Sequence, residues 1–521
     1  MAGKVYLVGA GPGDPKLITL RGLECIAQAD VIIYDRLATN LLFEHAKPEV
    51  ELIYVGKAEG KHSVKQEDIN RLLVEKAKMG KVVTRLKGGD PLIFGRGGEE
   101  ALTLVENGIE FEFVPGVSSG NAVPAYAGIP VTHRGVTSTV AYVTGHEDPS
   151  KPNTDIDWQS LVGIGTIIFY MGMRNLPSIV DQLVSRGRAK DTPVAIIRWG
   201  TTPQQQTVIG TLSDIVEKVV KAELKAPCII IVGDVVKLRE KLCWYEKKPL
   251  FGKRILVTRA KEQAGLFSDL IAELGGQPIE VPTIRITDPD SFENTDRAID
   301  RLENGPGYDW IIFTSANGVK YFVKRVRALG KDIRILAGSN IAVIGPATAK
   351  AVKKLLMNID LTPRDFVAEG LIEEFTRIGV SGKSFLIPRA KVARDVLPDT
   401  LRTMGGKVDI AEAYQTVIDE AAGLRIKELL SEGGIDIATF TSPSTINNFV
   451  RLIGSELKVL MEGVLVAAIG PVTSDAIRKL GLTVDIVAGE YTIPGLIDAI
   501  LERVQRPGSG VQGKTEEPVV G

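Results

Sequence analysis

The sequence predicts an α/β protein in which most strands run parallel and which contains more than one folding unit. Short runs rich in β-branched residues, among them DVIIYD, TIIFYMG and CIIIVGD, alternate with helix-like stretches that end in glycine along the whole length. This alternation is typical of layered α/β folds. The chain has 521 residues, which is too long for a single hydrophobic core. We expect roughly three to four packing units.

A break in this rhythm divides the chain near residue 249. The segment 242–253, LCWYEKKPLFGK, is charged and contains a proline and a glycine, and the strand-like run RILVTRA follows it. We therefore predict a first domain of residues 1–248 and a second of residues 249–505. Residues 506–521 contain few apolar side chains, so we expect a disordered tail whose ordering entropy is not offset by burial.

The second half contains an internal repeat. Three elements recur in the same order: Arg-Ala-Lys with an offset of 130, Phe-Thr-Ser with an offset of 127, and Ile-Gly-Pro with an offset of 125. The motifs begin at Arg259 and Arg389, at Phe313 and Phe440, and at Ile344 and Ile469. A period of this length indicates two similar α/β lobes, because solenoid repeats are about 20–50 residues long. Two lobes imply a cleft, and ligands often bind in such clefts.

Composition excludes several classes of protein. Lysine plus arginine and aspartate plus glutamate nearly cancel, at 63 and 64, so the chain lacks the overall basic charge of a nucleic-acid-binding protein. The three cysteines and four histidines show no spacing typical of a metal site, and we predict none. The apolar runs are far shorter than the ~20 residues that span a bilayer, and the chain begins without an apolar leader. We therefore expect a cytoplasmic protein without membrane contact.

The first glycine-rich loop, GAGPGDP at residues 9–15, follows the first predicted strand. Glycines there allow a ligand to approach the backbone closely, although a tight structural turn is an alternative. The loop places Asp14 where the dinucleotide-binding fingerprint GxGxxG needs glycine, and Pro12 stiffens it. We find no other such fingerprint with an acidic residue about 20 positions later, so a nicotinamide oxidoreductase is excluded.

Longer motifs accompany this loop. They are LKGGDPLIFGRGGEE and PGVSSGNAVPAYAGIPVTHR, together with YDR, VGK, YMG and RWGTTPQQQ. In this order they closely resemble the tetrapyrrole methylases, and within that family the uroporphyrinogen-III C-methyltransferases, over about residues 4–245. The resemblance implies two α/β subdomains, a site for S-adenosyl-L-methionine between them, and a homodimer.

The resemblance also implies the residues of this first site. The cofactor would be lined by Pro12, Gly88, Gly89, Asp90, Ile93, Ser118, Ser119, Met171 and Gly200. A pyrrole carbon displaces the methyl group of a sulfonium, and it becomes more nucleophilic when a ring nitrogen loses its proton. Asp35 matches the proton acceptor of similar enzymes and Lys57 the donor. As alternatives, Asp35 caps the following helix, Lys57 binds a substrate carboxylate, and Asp90 either faces the cofactor's charge or caps a helix.

The second half carries shorter motifs. They are VTRA, FTSANGV, IGPATA, IPRA, AYQT, FTSPST, IGPVTS and YTIPGL. They resemble the uroporphyrinogen-III synthases over about residues 252–504. The resemblance implies two flavodoxin-like lobes joined by a two-stranded linker, with lobe one made of residues 252–286 and 418–505 and lobe two of residues 287–417.

The substrate of such an enzyme is hydroxymethylbilane, an open tetrapyrrole that carries eight carboxylates. Hydroxyls and helix N-termini would bind these carboxylates, as would a few cations. The candidates are Arg259, Thr314, Ser315, Thr348, Arg389, Thr441, Ser442 and Thr473. Tyr414 matches the tyrosine proposed to assist loss of the hydroxyl group. As alternatives, the hydroxyls only cap helices, the arginines form surface salt bridges, and Tyr414 only packs.

Together the two resemblances imply a bifunctional enzyme. It would close hydroxymethylbilane to uroporphyrinogen III and methylate this product twice to precorrin-2, for sirohaem or cobalamin synthesis. Two alternatives stay open. The first half would methylate another corrin precursor or a protein side chain, or the second half would be a non-catalytic small-molecule binding module. We expect the dehydrogenase and chelatase activities of some sirohaem-making fusions to be absent.

Overall fold

A computed structural model describes residues 3–37, 40–56, 64–146, 154–259 and 261–506 of the chain. Lys57 and all but the first residue of the predicted tail lie outside the described residues. Two compact units are formed. The first contains the chain up to Ile255 with Asp269–Pro278 and the residues from Ile500, and the second contains Leu256–Ser268 and Ile279–Ala499. The described residues form four five-stranded sheets flanked by helices, so the predicted α/β class is confirmed.

The first sheet is parallel throughout. Its strands are β1 (Lys4–Gly9), β2 (Val31–Tyr34), β3 (Glu51–Tyr54), β4 (Val83–Lys87) and β5 (Glu110–Val114), in the order β3-β2-β4-β1-β5. Its helices are α1 (Leu20–Gln28), α2 (Gln66–Lys78) and α3 (Gly97–Glu106). The central strands β1, β2 and β4 are buried on both faces, which explains their continuous apolar runs.

The second sheet departs from the predicted parallel pattern. Its strands are β6 (Val140–Thr144), β7 (Thr166–Tyr170), β8 (Pro193–Arg198), β9 (Gln206–Thr211) and β10 (Cys228–Val232), in the order β6-β7-β10-β8-β9. Its helices are α4 (Ser119–Tyr126), α5 (Trp158–Leu161), α6 (Leu176–Ser185), α7 (Ile215–Lys221) and α8 (Arg239–Leu242). Only β6 and β7 pair in parallel; β10 is antiparallel to both neighbours, and β8 to β9. The β8–β9 connection is too short for a crossover helix, so these strands form a hairpin.

The second half forms the remaining two sheets. The strands are β11 (Arg254–Val257), β12 (Gln277–Glu280), β13 (Ile284–Thr287), β14 (Trp310–Phe313), β15 (Asn340–Val343), β16 (Ser384–Ala390), β17 (Lys407–Ile418), β18 (Ile437–Phe440), β19 (Leu465–Ala468) and β20 (Ile486–Val487). The helices are α9 (Lys261–Glu273), α10 (Glu293–Asn304), α11 (Ala316–Ala328), α12 (Pro346–Lys353), α13 (Ala368–Ile378), α14 (Val396–Thr403), α15 (Glu420–Ser431), α16 (Pro443–Ile453), α17 (Leu457–Leu460), α18 (Pro471–Lys479) and α19 (Ile493–Gln505).

We call the sheet β12-β11-β18-β19-β20 with its helices lobe one, and the sheet β13-β17-β16-β14-β15 with its helices lobe two. When the strands of the lobe-one sheet are numbered in chain order, their order is 2-1-3-4-5, which is the flavodoxin-like order. In lobe two, β17, β16, β14 and β15 occupy the places that β12, β11, β18 and β19 hold in lobe one. The end of β17 also pairs antiparallel with β13, so two strands connect the lobes.

The two sequence repeats do not coincide with the two lobes. The first Arg-Ala-Lys motif follows β11, which lies beside β18, the strand that ends in the second Phe-Thr-Ser motif. The second Arg-Ala-Lys motif ends β16, which pairs in parallel with β14 and hence with the first Phe-Thr-Ser motif. Each lobe therefore combines strands from both repeats.

The apolar cores of the lobes match position by position. Lobe two buries Phe313, Val319 and Phe322, and lobe one buries Phe440, Ile446 and Phe449 at the same offset of 127. The matched side chains come from the Phe-Thr-Ser strand and the helix that follows it. The repeat is thus a repeat of packing as well as of sequence.

Candidate active sites

Two glycine-rich loops meet at the carboxyl edge of the first sheet. The Gly11 N–H donates to the Gly89 carbonyl at 3.2 Å, and the Gly89 N–H donates to the Gly11 carbonyl at 2.7 Å. Both residues have positive φ, at +78° and +69°, a conformation that favours glycine. The loops that follow β1 and β4 are therefore locked together where ligands usually bind in parallel α/β sheets.

A third loop closes on these two without space for side chains. A Cβ atom at Gly9 would lie 2.5 Å from the Gly116 Cα and 2.6 Å from the Gly89 carbonyl oxygen. A Cβ at Gly89, in contrast, would make only ordinary contacts with the backbone of Ser118 and Ser119. The three loops form a cradle of backbone groups, and this arrangement fits the compact, charged amino-acid part of S-adenosylmethionine.

Asp90 bonds to the backbone of this cradle. Its Oδ1 accepts from the Leu92 N–H at 2.8 Å and its Oδ2 from the Gly116 N–H at 3.1 Å. The carboxylate therefore joins its own turn to the third loop. Both contacts are with backbone N–H groups of loops, and neither caps α3, which begins at Gly97. The predicted contact with the cofactor's charge stays a prediction.

Tyr170, which the sequence reasoning did not single out, links the second sheet to α4. Its hydroxyl lies 2.7 Å from the Ser118 Oγ and accepts from the Gly120 N–H at 2.8 Å. The ring is buried, and this burial raises the pKa of the hydroxyl. The next residue, Met171, is 53% exposed and has a positive φ of 56°. The motif YMG was the available signal, because its tyrosine precedes a predicted cofactor residue.

The remaining predicted cofactor residues lie on neighbouring loops. The Asp14 N–H, two residues after Pro12, donates to the Thr201 Oγ1 at 3.1 Å, and the Tyr126 hydroxyl donates to the Asp14 Oδ2 at 2.7 Å. Gly200 lies against the Val123 side chain with no room for a Cβ. Ile93 packs partly buried against the core of the second sheet, and Ser119 is the first residue of α4.

Asp35, the predicted proton acceptor, directly follows β2. Its Oδ1 accepts from the Leu37 N–H at 3.0 Å, and its Oδ2 lies 3.5 Å from the Arg85 Nη2. Its side chain is 27% exposed, whereas Arg85 is buried. The predicted donor Lys57 lies outside the described residues. Sequence reasoning missed Arg85, although the charges of the buried strand motif RLKGGD were a visible signal.

In lobe two, two predicted residues come together. The Tyr414 hydroxyl on β17 lies 3.1 Å from the Ser315 Oγ, which also accepts from the Gly318 N–H at 3.0 Å at the start of α11. Tyr414 is only 8% exposed, and its ring lies 5.6 Å from that of Tyr321. Thr314 precedes Ser315 and is partly buried. Capping and contact with Tyr414 therefore coexist at one serine.

The matching serine of lobe one faces its own helix. The Ser442 Oγ accepts from the Thr445 N–H at 3.3 Å and lies 2.9 Å from the Ser444 Oγ. Thr441 precedes it and is partly buried. Thr348 and Thr473 are both buried in the first turns of α12 and α18.

The two predicted arginines differ in their surroundings. Arg389 is buried; its Nη2 lies 2.5 Å from the Asp395 Oδ1, and its Nη1 donates to the Arg394 carbonyl at 2.9 Å. Its guanidinium thus bonds to the loop before α14. Arg259 is partly buried, and this burial lowers its pKa.

Comparisons with known proteins match both halves. The family model for tetrapyrrole (corrin/porphyrin) methylases matches residues 4–216, and the model for uroporphyrinogen-III synthase HemD matches residues 266–498. The porphyrin biosynthesis protein HemD of Ruminiclostridium josui is 40% identical over 505 residues, which are 96% of this chain and 98% of that protein. The chain belongs to both families.

Two further similar proteins are methyltransferases. The uroporphyrinogen-III C-methyltransferase of Priestia megaterium is 57% identical over 235 residues, which are 45% of this chain and 98% of that protein. A solved uroporphyrin-III C-methyl transferase of Thermus thermophilus, complexed with S-adenyl homocysteine, is 38% identical and covers 45% of this chain and 100% of its own, with a TM-score of 0.40.

In the part of this tetrapyrrole methylase and synthase chain that the structure describes, every helix is too short or too polar to cross a membrane.

Proposed function

We propose that the chain closes hydroxymethylbilane to uroporphyrinogen III and then methylates this product twice with S-adenosylmethionine to precorrin-2. The observation that carries this proposal is the presence of both families in one chain, matched along 96% of its length by a single relative. The second half makes the substrate of the first half. The final product feeds sirohaem or cobalamin synthesis.

In the methyltransferase half, the glycine cradle holds the cofactor and Asp35 acts on the substrate. Bound S-adenosylmethionine supplies a methyl group on a sulfonium sulfur. The residues proposed to hold it are Pro12, Gly88, Gly89, Asp90, Ile93, Ser118, Ser119, Met171 and Gly200. Asp35 accepts the proton of a pyrrole N–H, which raises the electron density of the reacting carbon. Lys57 returns a proton, and alignment of the reactants supplies most of the rate.

In the synthase half, Tyr414 donates a proton to the leaving hydroxyl group of hydroxymethylbilane. Ser315 lies at hydrogen-bond distance from its hydroxyl and holds the phenol in place. The further residues proposed to bind carboxylates are Arg259, Thr314, Thr348, Arg389, Thr441, Ser442 and Thr473. A donor held in a buried position needs little reorganisation when charge develops on the leaving oxygen.

The domain boundaries are part of this proposal: residues 1–248 form the methyltransferase and residues 249–505 the synthase. Lobe one consists of residues 252–286 and 418–505, and lobe two of residues 287–417. The sheet orders support this division, because β12 pairs with β11, and β11 pairs with β18, which follows β17 in the chain. The ladder of β13 and β17 lies where the two crossings are expected.

We also propose a cytoplasmic homodimer that associates through the methyltransferase half. The three cysteines of the chain are free, which fits a reducing compartment. Exposed apolar side chains of this half, including Leu92, Phe94, Leu102 and Val105, are available for association. Light scattering after size exclusion should give twice the chain mass of 56.2 kDa. A monomeric mass would contradict the dimer and leave the catalytic proposal intact.

The decisive experiment incubates the purified chain with hydroxymethylbilane and S-adenosylmethionine. Mass spectrometry should detect a product that is two methyl groups heavier than uroporphyrinogen. An unmethylated product would contradict the methyltransferase. Without the cofactor, chromatography should resolve the isomer with the inverted last ring, and formation of only the uninverted isomer would contradict the synthase.

A further inference from the structure

Three charged side chains lie buried beneath the cofactor cradle. Arg85 and Lys87 project from β4 and are each 4% exposed, and Glu100 projects from α3 and is fully buried. We call these three residues the buried charge cluster. Burying charges is expensive, and an apolar set of the same volume often stabilises a fold as well or better. A role other than stability therefore has to be considered for this cluster.

One carboxylate oxygen organises the cluster. The Glu100 Oε1 accepts from the Lys87 Nζ at 2.7 Å, from the Arg85 Nε at 3.2 Å and from the Gln66 Nε2 at 3.1 Å. No donor among the described residues reaches the Glu100 Oε2, although this atom is buried. Both cations thus share this one acceptor atom.

Arg85 extends from Glu100 to Asp35. Its Nη1 donates to the carbonyls of Ile33 at 3.4 Å and Leu86 at 3.1 Å, near the carboxyl ends of β2 and β4. Its Nη2 points to the Asp35 Oδ2 at 3.5 Å. The guanidinium is therefore held on three sides, and its remaining edge faces the proposed proton acceptor.

The charges balance only when Asp35 is ionised. The cluster contains two cations and one anion, and the Asp35 carboxylate provides the second anion. Burial lowers the pKa of Lys87, as does Arg85, and Glu100 opposes both effects. The nearby charges at the start of α3 do not replace Asp35, because Arg96 and Glu99 pair with each other at 2.6 Å on the exposed side.

We propose that the buried charge cluster is a positioning device for Asp35, which rests on the function proposed above. Glu100 fixes Arg85, and Arg85 holds the Asp35 carboxylate in the orientation in which it accepts the proton. During transfer the pyrrole N–H bond breaks and its proton bonds to Asp35. The sulfonium C–S bond breaks with its electron pair left on sulfur, and the new C–C bond forms. Asp35 is then neutral and the cluster has an uncompensated positive charge, which favours release of the proton before the second methylation.

The variant Glu100→Gln tests this role because it keeps the shape and removes the charge. Arg85, released from Glu100, should bind Asp35 more tightly and make it a weaker base. We expect kcat for methyl transfer to fall by about tenfold to a hundredfold. The KM for S-adenosylmethionine should stay within about twofold, and the acid limb of the kcat profile should move about one pH unit lower. The matched control is Glu106→Gln, an exposed glutamate at the end of the same helix, which should behave like the wild type.

The double variant Lys87→Met/Glu100→Gln separates positioning from stability. It removes one buried cation along with the anion, so its melting temperature should be higher than that of Glu100→Gln. Its kcat should stay low, and the acid limb of its kcat profile should stay displaced. Recovery of both the melting temperature and the activity would overturn the proposal, and so would a Glu100→Gln enzyme with the kinetics of Glu106→Gln. If Glu100→Gln does not fold, the double variant is compared with Glu106→Gln in its place.

Two results distinguish failure of the proposed function from failure of this inference. A wild-type chain that forms no methylated product contradicts the function itself. An Asp35→Asn variant with the wild-type rate contradicts the role of Asp35 and overturns the positioning with it. When the wild type is active and Asp35→Asn is impaired, an unaffected Glu100→Gln contradicts the positioning role alone.

Discussion

The two lobes of the synthase half share one arrangement and differ at the residues proposed for chemistry. In both, a serine caps the helix after the Phe-Thr-Ser strand, Ser315 in lobe two and Ser442 in lobe one. Ser315 also contacts the Tyr414 hydroxyl, whereas Ser442 contacts Ser444 of its own helix. At the repeat offset of 130, Tyr414 corresponds to Ile284, which has no hydroxyl. Duplication thus supplied two similar scaffolds, and among the residues that the structure describes only lobe two carries the tyrosine–serine pair.

The largest expected difference follows from Tyr414→Phe. This variant removes the proposed acid and keeps the ring, so formation of uroporphyrinogen III should slow by about 100-fold. The rate is measured by chromatography of the product isomers, and methylation of added uroporphyrinogen III by the same sample should not change.

The matched control for Tyr414→Phe is Tyr308→Phe, also in lobe two. The Tyr308 hydroxyl donates to the Asp409 Oδ2 at 2.7 Å, a different partner from the Ser315 hydroxyl that Tyr414 contacts. Its loss should cost about 1 kcal/mol of stability and leave the synthase rate unchanged. Equal rates for the two variants would show that Tyr414 only packs.

An intermediate difference is expected between Ser315→Ala and Ser442→Ala. Each variant removes a helix N-cap, so each should lower stability by about 1 kcal/mol in a denaturant titration. Only Ser315→Ala also removes the contact with Tyr414, and its synthase rate should fall by about tenfold. Ser442→Ala removes no contact with Tyr414, so its synthase rate should fall less than that of Ser315→Ala. A larger loss of rate in Ser442→Ala would reverse the assignment of the two lobes.

The smallest expected effect concerns Asp309, which precedes β14. Hydrogen bonds from the Ser384 N–H and hydroxyl, at 2.7 and 2.8 Å, hold the pKa of Asp309 below its usual value. A lowered pKa contributes stability above the unfolded-state pKa, and this contribution is lost as the pH falls through the folded-state pKa. Asp309→Asn should therefore lower the calorimetric melting temperature by about 2 °C at pH 7. The difference should shrink below about pH 4, and a constant difference would contradict the ionic cause.

Much of the fold could be predicted from the sequence because its signals are local. Buried strands such as Thr166–Tyr170 show continuous β-branched and aromatic runs, and the repeat is visible by direct comparison. The antiparallel pairing of Cys228–Val232 with both neighbours was not predicted, since pairing depends on which strands meet in space. The exchange of strands between the repeats cannot be read from the motifs alone, because similar motifs fit either lobe. It follows instead from the lobe boundaries that the family resemblance implied.

The candidate sites were predictable where a motif carries its own chemistry and not where contacts between motifs decide it. The glycine loops at Gly11 and Gly89 were identified from their motifs, and the structure adds that they bond to each other. Glu100 ends the motif LKGGDPLIFGRGGEE, and its environment depends on contacts with Arg85 and Lys87 of β4 and with Gln66 of α2. The sequence alone does not distinguish the buried Glu100 from the exposed Glu99 beside it.

The exchange of strands between the lobes also sets an order of events during synthesis. The hydrogen bond from the Thr439 hydroxyl to the Leu256 carbonyl joins β18 to β11 across 183 residues. The ribosome releases every strand of lobe two before it releases β18. Lobe two can therefore complete its sheet while β11 still lacks its neighbour β18. Lobe two, which carries the tyrosine–serine pair, is therefore the first of the two lobes that can fold. The sheet of lobe one can form only after β18, β19 and β20 have been synthesised.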